Sequence, residues 1–291
     1  MNVFLHSRAE GGDSEVFEMR TRIITAIVAL IVFFAVIFAG TIPLLAAIAI
    51  VILAMLYEVY GAVTKSVHVK VCGYICALLL MAGFFYRQVG FAVTATVTVT
   101  MLYAVFLHGK VRSSELFGAV LMTIYITLFM GYIPLLRIRN GLAAMAFIFI
   151  IAWGSDTSAY FCGTFFGKHK LIPRVSPKKT VEGSAGAVVC VALLCLLYVF
   201  IVDKCGGGFG SGEITAIDYI MAPAAGIVGS VLSQFGDLAA SAVKRDAGIK
   251  DYGSIFPGHG GFMDRFDSVI LIAPVVYYFV RYFPAIIAYL K

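Results

Sequence analysis

SQFGDLAASAVKRDAGIKDYGSIFPGHGGFMDRFD, residues 233–267, carries nine Asp, Lys and Arg side chains between two strongly apolar runs. One such side chain at the centre of a bilayer costs about 2.5–3.5 kcal/mol on insertion scales, so nine cost on the order of 20 kcal/mol or more. The stretch therefore lies in water or in a cavity lined by protein, and the apolar runs beside it are the parts that can cross a membrane. Its charges are mixed in sign and interleaved with glycines, a composition suited to phosphate groups and metal ions.

Working outward, the same division repeats along the chain. Of its 291 residues 61% are apolar and 13% are charged, against about 45–50% and 25% in soluble domains. A span needs roughly 20 helical residues to cross a hydrocarbon core of about 30 Å. The apolar runs predict about nine spans, near 23–38, 42–57, 71–86, 91–107, 116–136, 142–161, 185–202, 214–235 and 268–289. The expected fold is an all-α polytopic integral membrane protein with two long polar cytoplasmic loops. Residues 1–22 read as a polar tail, 23–152 as N-terminal transmembrane helices, and 153–291 as a catalytic region with loops 162–184 and 236–267. The fourth span contains VTATVTVT, whose period-two alternation is that of a strand. An open strand in lipid leaves backbone groups unsatisfied, and the neighbouring spans are too long for barrel strands, so a helix is expected here as well.

Charge sets the expected orientation. With the N-terminus in the cytoplasm, sixteen Lys and Arg fall inside and six outside, as the positive-inside rule requires. Both polar loops then share the cytoplasmic face. The net charge of +6 is scattered through short loops without an aromatic-interleaved basic stripe, which argues against nucleic acid as a partner. The six cysteines lie mostly inside apolar runs and make no CxxC pair, the pattern of small buried apolar residues.

The first polar loop includes SPKKTVEG, residues 176–183. A proline-fixed turn, adjacent Lys178 and Lys179, and the hydroxyls of Ser176 and Thr180 suit a polyphosphate, with lysine acting as a point charge. Gly163 and Gly167, four apart, permit close helix packing. In the second loop, a helix continued through 236–245 would put Asp237, Ser241 and Lys244 or Arg245 on one face. Asp264 and Asp267 share a face at the start of the last helix, where exposed amides would add an anion site. Carboxylates from both helix ends could converge on Mg²⁺, a hard cation that keeps phosphate oxygens as ligands; the plainer reading is helix-dipole complementation. His259, between glycines, fits a structural hydrogen bond as well as a role with substrate.

Residues 241–267 resemble the signature of the phosphatidate cytidylyltransferases, also called CDP-diacylglycerol synthases. The matching positions are Ser241, Lys244, Arg245, Lys250, Asp251, His259, Gly260, Gly261, Asp264, Arg265 and Asp267. The upstream loop is similar in Asp156, Ala159, Tyr160, Gly163, Gly167 and 176–183. The resemblance implies a membrane enzyme that joins CTP to phosphatidic acid, giving CDP-diacylglycerol and pyrophosphate. It implies a Mg²⁺-dependent site with Asp237 and Asp264 as principal metal ligands, K⁺ as a second ion in some members, and a homodimer in the cell (inner) membrane. Asp237, Asp264, Lys244 and Asp267 are then the expected catalytic residues. Ser176, Lys178, Lys179, Thr180, Ser241, Arg245, His259 and Arg265 are the expected substrate contacts. Three alternatives remain at this stage: a transporter, a CDP-alcohol phosphotransferase (whose spaced-aspartate motif is not in this chain), and a cytidylyltransferase for another lipid phosphate.

Overall fold

Eight helices and one short hairpin make up the computed structural model, which describes residues 2–209, 213–258 and 260–290, with side chains from 19 to 281. In order these are α1 (Asn2–Phe38), α2 (Thr41–Val63), α3 (Val67–Phe85), α4 (Val89–Phe106), α5 (Ser113–Phe166), β1 (Lys170–Ile172), β2 (Ser176–Thr180), α6 (Val181–Lys204), α7 (Ala216–Asp246) and α8 (Met263–Leu290). Seven helices have a described segment long and apolar enough to cross a membrane. VTATVTVT lies inside α4, as expected from the backbone argument. The polar residues ahead of 23, expected as a tail, continue α1 as helix.

The count is eight and not nine because the fifth and sixth expected spans are one element. As a straight rod its 54 residues would measure about 80 Å, more than twice a hydrocarbon core of about 30 Å. The element breaks at Gly141, where φ is 86° and ψ is −177°, a region that is essentially glycine-only. Residues before the break face the N-terminal helices and α8: Tyr60 and Thr123 hydroxyls meet at 2.5 Å, and those of Tyr132 and Tyr278 at 2.9 Å. Residues after it face α6, where the Tyr198 hydroxyl donates to the Ala143 carbonyl at 2.8 Å. The buried core runs along both arms, through Ile126, Met130, Ile133, Leu136, Met145, Ile148 and Ile151.

Small residues carry the close helix contacts of the C-terminal half, as expected where lipid removes the hydrophobic drive between helices. A Cβ at Gly163 would press on Thr180 and Gly183, so α5 and α6 approach closely there. A Cβ at Gly236 would overlap the Asp267 carbonyl, so α7 and α8 also touch backbone to backbone. By contrast α1 exposes Ile23, Ile24, Ile27, Val28 and Ile31, a surface suited to acyl chains rather than water.

The polar stretches are shorter than the sequence predicts. α5 runs on to Phe166, α6 starts at Val181, and α7 carries helix to Asp246. SPKKT is a strand and not a proline turn: the turn falls at 173–175, closed by the Val175 amide donating to the Ile172 carbonyl at 3.1 Å. β1 and β2 pair antiparallel as a two-stranded ribbon. Both strands are edges, so Pro177 can sit in one without taking a ladder hydrogen bond from a partner.

Candidate active site

α7 stays helical through its charged end, so Asp237, Ser241 and Lys244 recur at i, i+4 and i+7 and share a face. The Ser241 hydroxyl donates to Asp237 Oδ1 at 3.3 Å. Asp237 Oδ2 holds Lys179 Nζ at 2.5 Å, a pair about one quarter exposed. Strand alternation explains why only one of the adjacent lysines is there: Lys179 turns inward, and Lys178 points to solvent.

α8 supplies the other side. Asp264 Oδ1 accepts from Lys244 Nζ at 2.8 Å, with both side chains nearly buried. Asp264 Oδ2 accepts from the Tyr252 and Gly261 amides at 2.9 and 3.0 Å. One turn on, Asp267 Oδ1 accepts from the Ser268 amide at 2.8 Å, and the Ser268 hydroxyl donates to Asp156 Oδ2 at 3.2 Å. The Gly236 crossing brings Asp237 within electrostatic reach of Asp267, and Asp156 of α5 feels both Asp237 and the Lys179 charge. Tyr252 closes the wall: its hydroxyl donates to the Ala240 carbonyl at 3.0 Å, and its ring lies 5.6 Å from Lys244 Nζ. Burial, then the Asp264 and Asp267 charges, push the Tyr252 phenol above its usual range, so it is neutral near pH 7.

The two polar loops do meet. Besides the Lys179–Asp237 pair, Arg245 Nε donates to the hairpin carbonyl of Val175 at 3.4 Å. The structure thus gathers Asp237, Ser241, Lys244, Asp264, Asp267 and Lys179. Arg265 is exposed at the rim, with its charge acting on Asp156. Ser176 is half-buried at the start of β2, and Arg245 is exposed against the hairpin. Thr180 is a helix cap, accepting from the Gly183 amide at 3.2 Å, where a Ser or Thr hydroxyl is worth about 1 kcal/mol. His259 lies outside the described residues.

One expectation is corrected. The amides at the start of α8 do not form an open anion site, because carboxylates already take them: Gly261 donates to Asp264, and Phe262 and Met263 donate to Glu58 at 3.0 and 2.9 Å. The sequence reading missed Glu58. Its signal was present, since it is the sole Asp, Glu, Lys or Arg within α2, and an ionisable residue inside a span is a functional candidate by default.

The donor set fits a hard cation. The carboxylates of Asp237 and Asp264 each hold a lysine ammonium, and a third and fourth carboxylate stand nearby. No three Asp, Glu, His or Cys side chains among the described residues are gathered tightly enough to hold an ion on their own. Mg²⁺ is usually bound through one or two carboxylates with waters and substrate phosphates completing its shell, so Asp237 and Asp264 would need those further ligands to hold it.

Comparison with known proteins bears on this geometry. The cytidylyltransferase family model matches residues 20–283. The chain is similar to the phosphatidate cytidylyltransferase of Bacillus subtilis, 31% identical over 280 residues, or 91% of this chain and 99% of that one. It is similar to the proteins of the same name from Staphylococcus saprophyticus (32% over 267 residues) and Staphylococcus haemolyticus (29% over 266), each spanning 89% of this chain and 97% of the relative.

Proposed function

Since this chain belongs to the cytidylyltransferase family, we propose that it transfers the cytidylyl group of CTP to phosphatidic acid, giving CDP-diacylglycerol and pyrophosphate. The observation that carries the reading is the convergence of two lysine–carboxylate pairs, Lys179–Asp237 and Lys244–Asp264, from three separate elements. Such a set can exchange its internal partners for phosphates and a cation.

A phosphate monoester has a second pKa near 6 and is largely dianionic at about pH 7. Phosphatidate therefore needs no strong general base. Its phosphate oxygen attacks the CTP α-phosphorus in line, a new P–O bond forms, and the bond to the β-phosphate oxygen breaks to release pyrophosphate. The barrier lies in bringing two anions together and in charge building on the leaving group, so positioning and electrostatics do most of the work. Lys179 and Lys244 hold phosphate oxygens from opposite walls, with Lys178, Arg245 and Arg265 at the rim. Ser241 orients Asp237. Asp237 and Asp264 would hold Mg²⁺, with Asp267 adding to the negative field. When bound, the ion supplies charge neutralisation on the phosphates.

The charge asymmetry of the loops supports a site facing the cytoplasm, where CTP is found, with the N-terminus on the same side. The acyl chains stay among the apolar helices. K⁺ as a second ion and a homodimer belong to the same reading and rest on the family resemblance.

The test is to incubate purified protein with phosphatidic acid, Mg²⁺ and each nucleoside triphosphate in turn, measuring pyrophosphate. Release with CTP, dependent on lipid and Mg²⁺, is the expected result. CTP binding without turnover would move the lipid acceptor to a different phosphate, and no CTP binding would overturn the reading. The two lysines should also separate: Lys179→Ala is expected to lower kcat/KM by about 10²-fold, and Lys178→Ala by far less. Equal losses would remove the distinction drawn from strand alternation.

A further inference from the structure

We propose that Glu58 of α2 is a positioning residue for this reaction, holding the glycine loop and the first turn of α8 so that Asp264 and Asp267 keep their places. The inference rests on the function proposed above.

Glu58 is 4% exposed, and a buried carboxylate is costly unless it is well hydrogen-bonded. Its two oxygens each take one backbone amide, Oε1 from Phe262 and Oε2 from Met263, residues 204 and 205 positions away in sequence. Amides at a helix start carry partial positive charge, which suits a buried anion that has no Lys or Arg partner among the described residues. The preceding amide, Gly261, belongs to Asp264. Three consecutive N–H groups are thus divided between two carboxylates. Asp264 takes Lys244, Tyr252 and Gly261, and Glu58 takes the other two amides. Asp264 reaching three residues back to Gly261 is the geometry of an acid in a capping box, and without Glu58 the Phe262 and Met263 amides would lose the acceptors that fix this turn.

The loop is also shaped around this side chain. A Cβ at Gly253 or Gly261 would overlap the Glu58 carboxyl group. Gly253 does not have positive φ, so alanine fits its backbone and would act only by displacing the carboxylate. A staple that merely joined α2 to α8 would need neither the division of amides with Asp264 nor clearance on two sides.

The experiment uses the full chain in detergent, with the variants Glu58→Ala, Glu58→Gln, Gly253→Ala and the double variant Glu58→Ala/Gly253→Ala. Size-exclusion and thermal unfolding report folding, pyrophosphate release gives kcat and KM for CTP, and hydrogen exchange reports the 253–264 amides without any substrate. Glu58→Ala is expected to lower kcat by about 10²-fold, as for a small misplacement of reacting groups, with KM for CTP changed by less than about threefold. Exchange should quicken at 260–264 and not in α6. Glu58→Gln should fall between, since its oxygen still accepts one amide and its nitrogen cannot accept the other. Gly253→Ala should reproduce the defect, and in the Glu58→Ala background it should add nothing, the mark of two changes acting on one contact.

Multiplying defects in the double variant would overturn the proposal, as would activity lost only in proportion to unfolded protein. If Glu58→Ala does not accumulate, Glu58→Gln and Gly253→Ala decide by the same criteria. Wild-type protein that makes no pyrophosphate would sink the reaction reading alone, since the exchange pattern still tests the clamp.

Discussion

Asp264→Asn is expected to abolish measurable turnover and to lower stability at the same time. Asparagine can still accept the Tyr252 and Gly261 amides through its oxygen, but it presents nothing that neutralises Lys244. The Lys244 and Asp264 side chains are 11% and 3% exposed, and removing one partner of a buried pair typically costs about 3–5 kcal/mol. From the sequence alone the variant would be inactive with folding and membrane insertion intact; the buried pair adds the loss of stability. A paired replacement separates the two effects. Lys244→Met with Asp264→Leu removes both charges, and well-packed apolar substitutes for a buried pair are often neutral or stabilising. The double variant should regain much of the melting temperature and none of the activity. Recovery of turnover in it would remove both residues from the chemistry.

Asp237→Asn is expected to lose activity by about 10²–10³-fold, the scale set by removing one preorganised electrostatic group, with little change in stability. Its partner Lys179 is 21% exposed and Asp237 itself 27%, so their pair behaves as a largely solvated one worth at most about 1 kcal/mol. Melting temperature against pyrophosphate release is the comparison to make. Near-normal turnover would remove Asp237 from metal and phosphate binding together. A large fall in stability would mean that the pair is shielded more than its exposure indicates.

Much of this was legible in the sequence because two strong physical constraints write themselves locally. The cost of charge in lipid marks the spans, and helical periodicity aligns Asp237, Ser241 and Lys244. VTATVTVT shows the first constraint overriding a local strand pattern. What was not legible depends on tertiary contact or on a single backbone angle. Gly141 reads like any glycine after a polar RIRN, and nothing nearby says that it bends a helix without a loop. SPKKT looks like a turn because Pro177 is conspicuous, and only pairing with 170–172 makes it a strand. Glu58 lies just past 57, the expected end of the second span, where a charge looks ordinary. Its partners are backbone amides, which have no sequence signature at all.

The Lys244–Asp264 pair has a consequence for how the chain is made. Lys179, Asp237, Lys244 and Asp264 leave the ribosome in that order, so Lys179 gains its counter-charge only when Asp237 arrives, and Lys244 only when Asp264 does. Until α8 enters the membrane, Lys244 lacks the carboxylate it is buried against and must remain at the water boundary. The last helix is therefore the closing piece of the assembly. A chain stopped after α7 would keep most of its apolar bulk yet carry an unsatisfied cation, a defect that quality control could recognise.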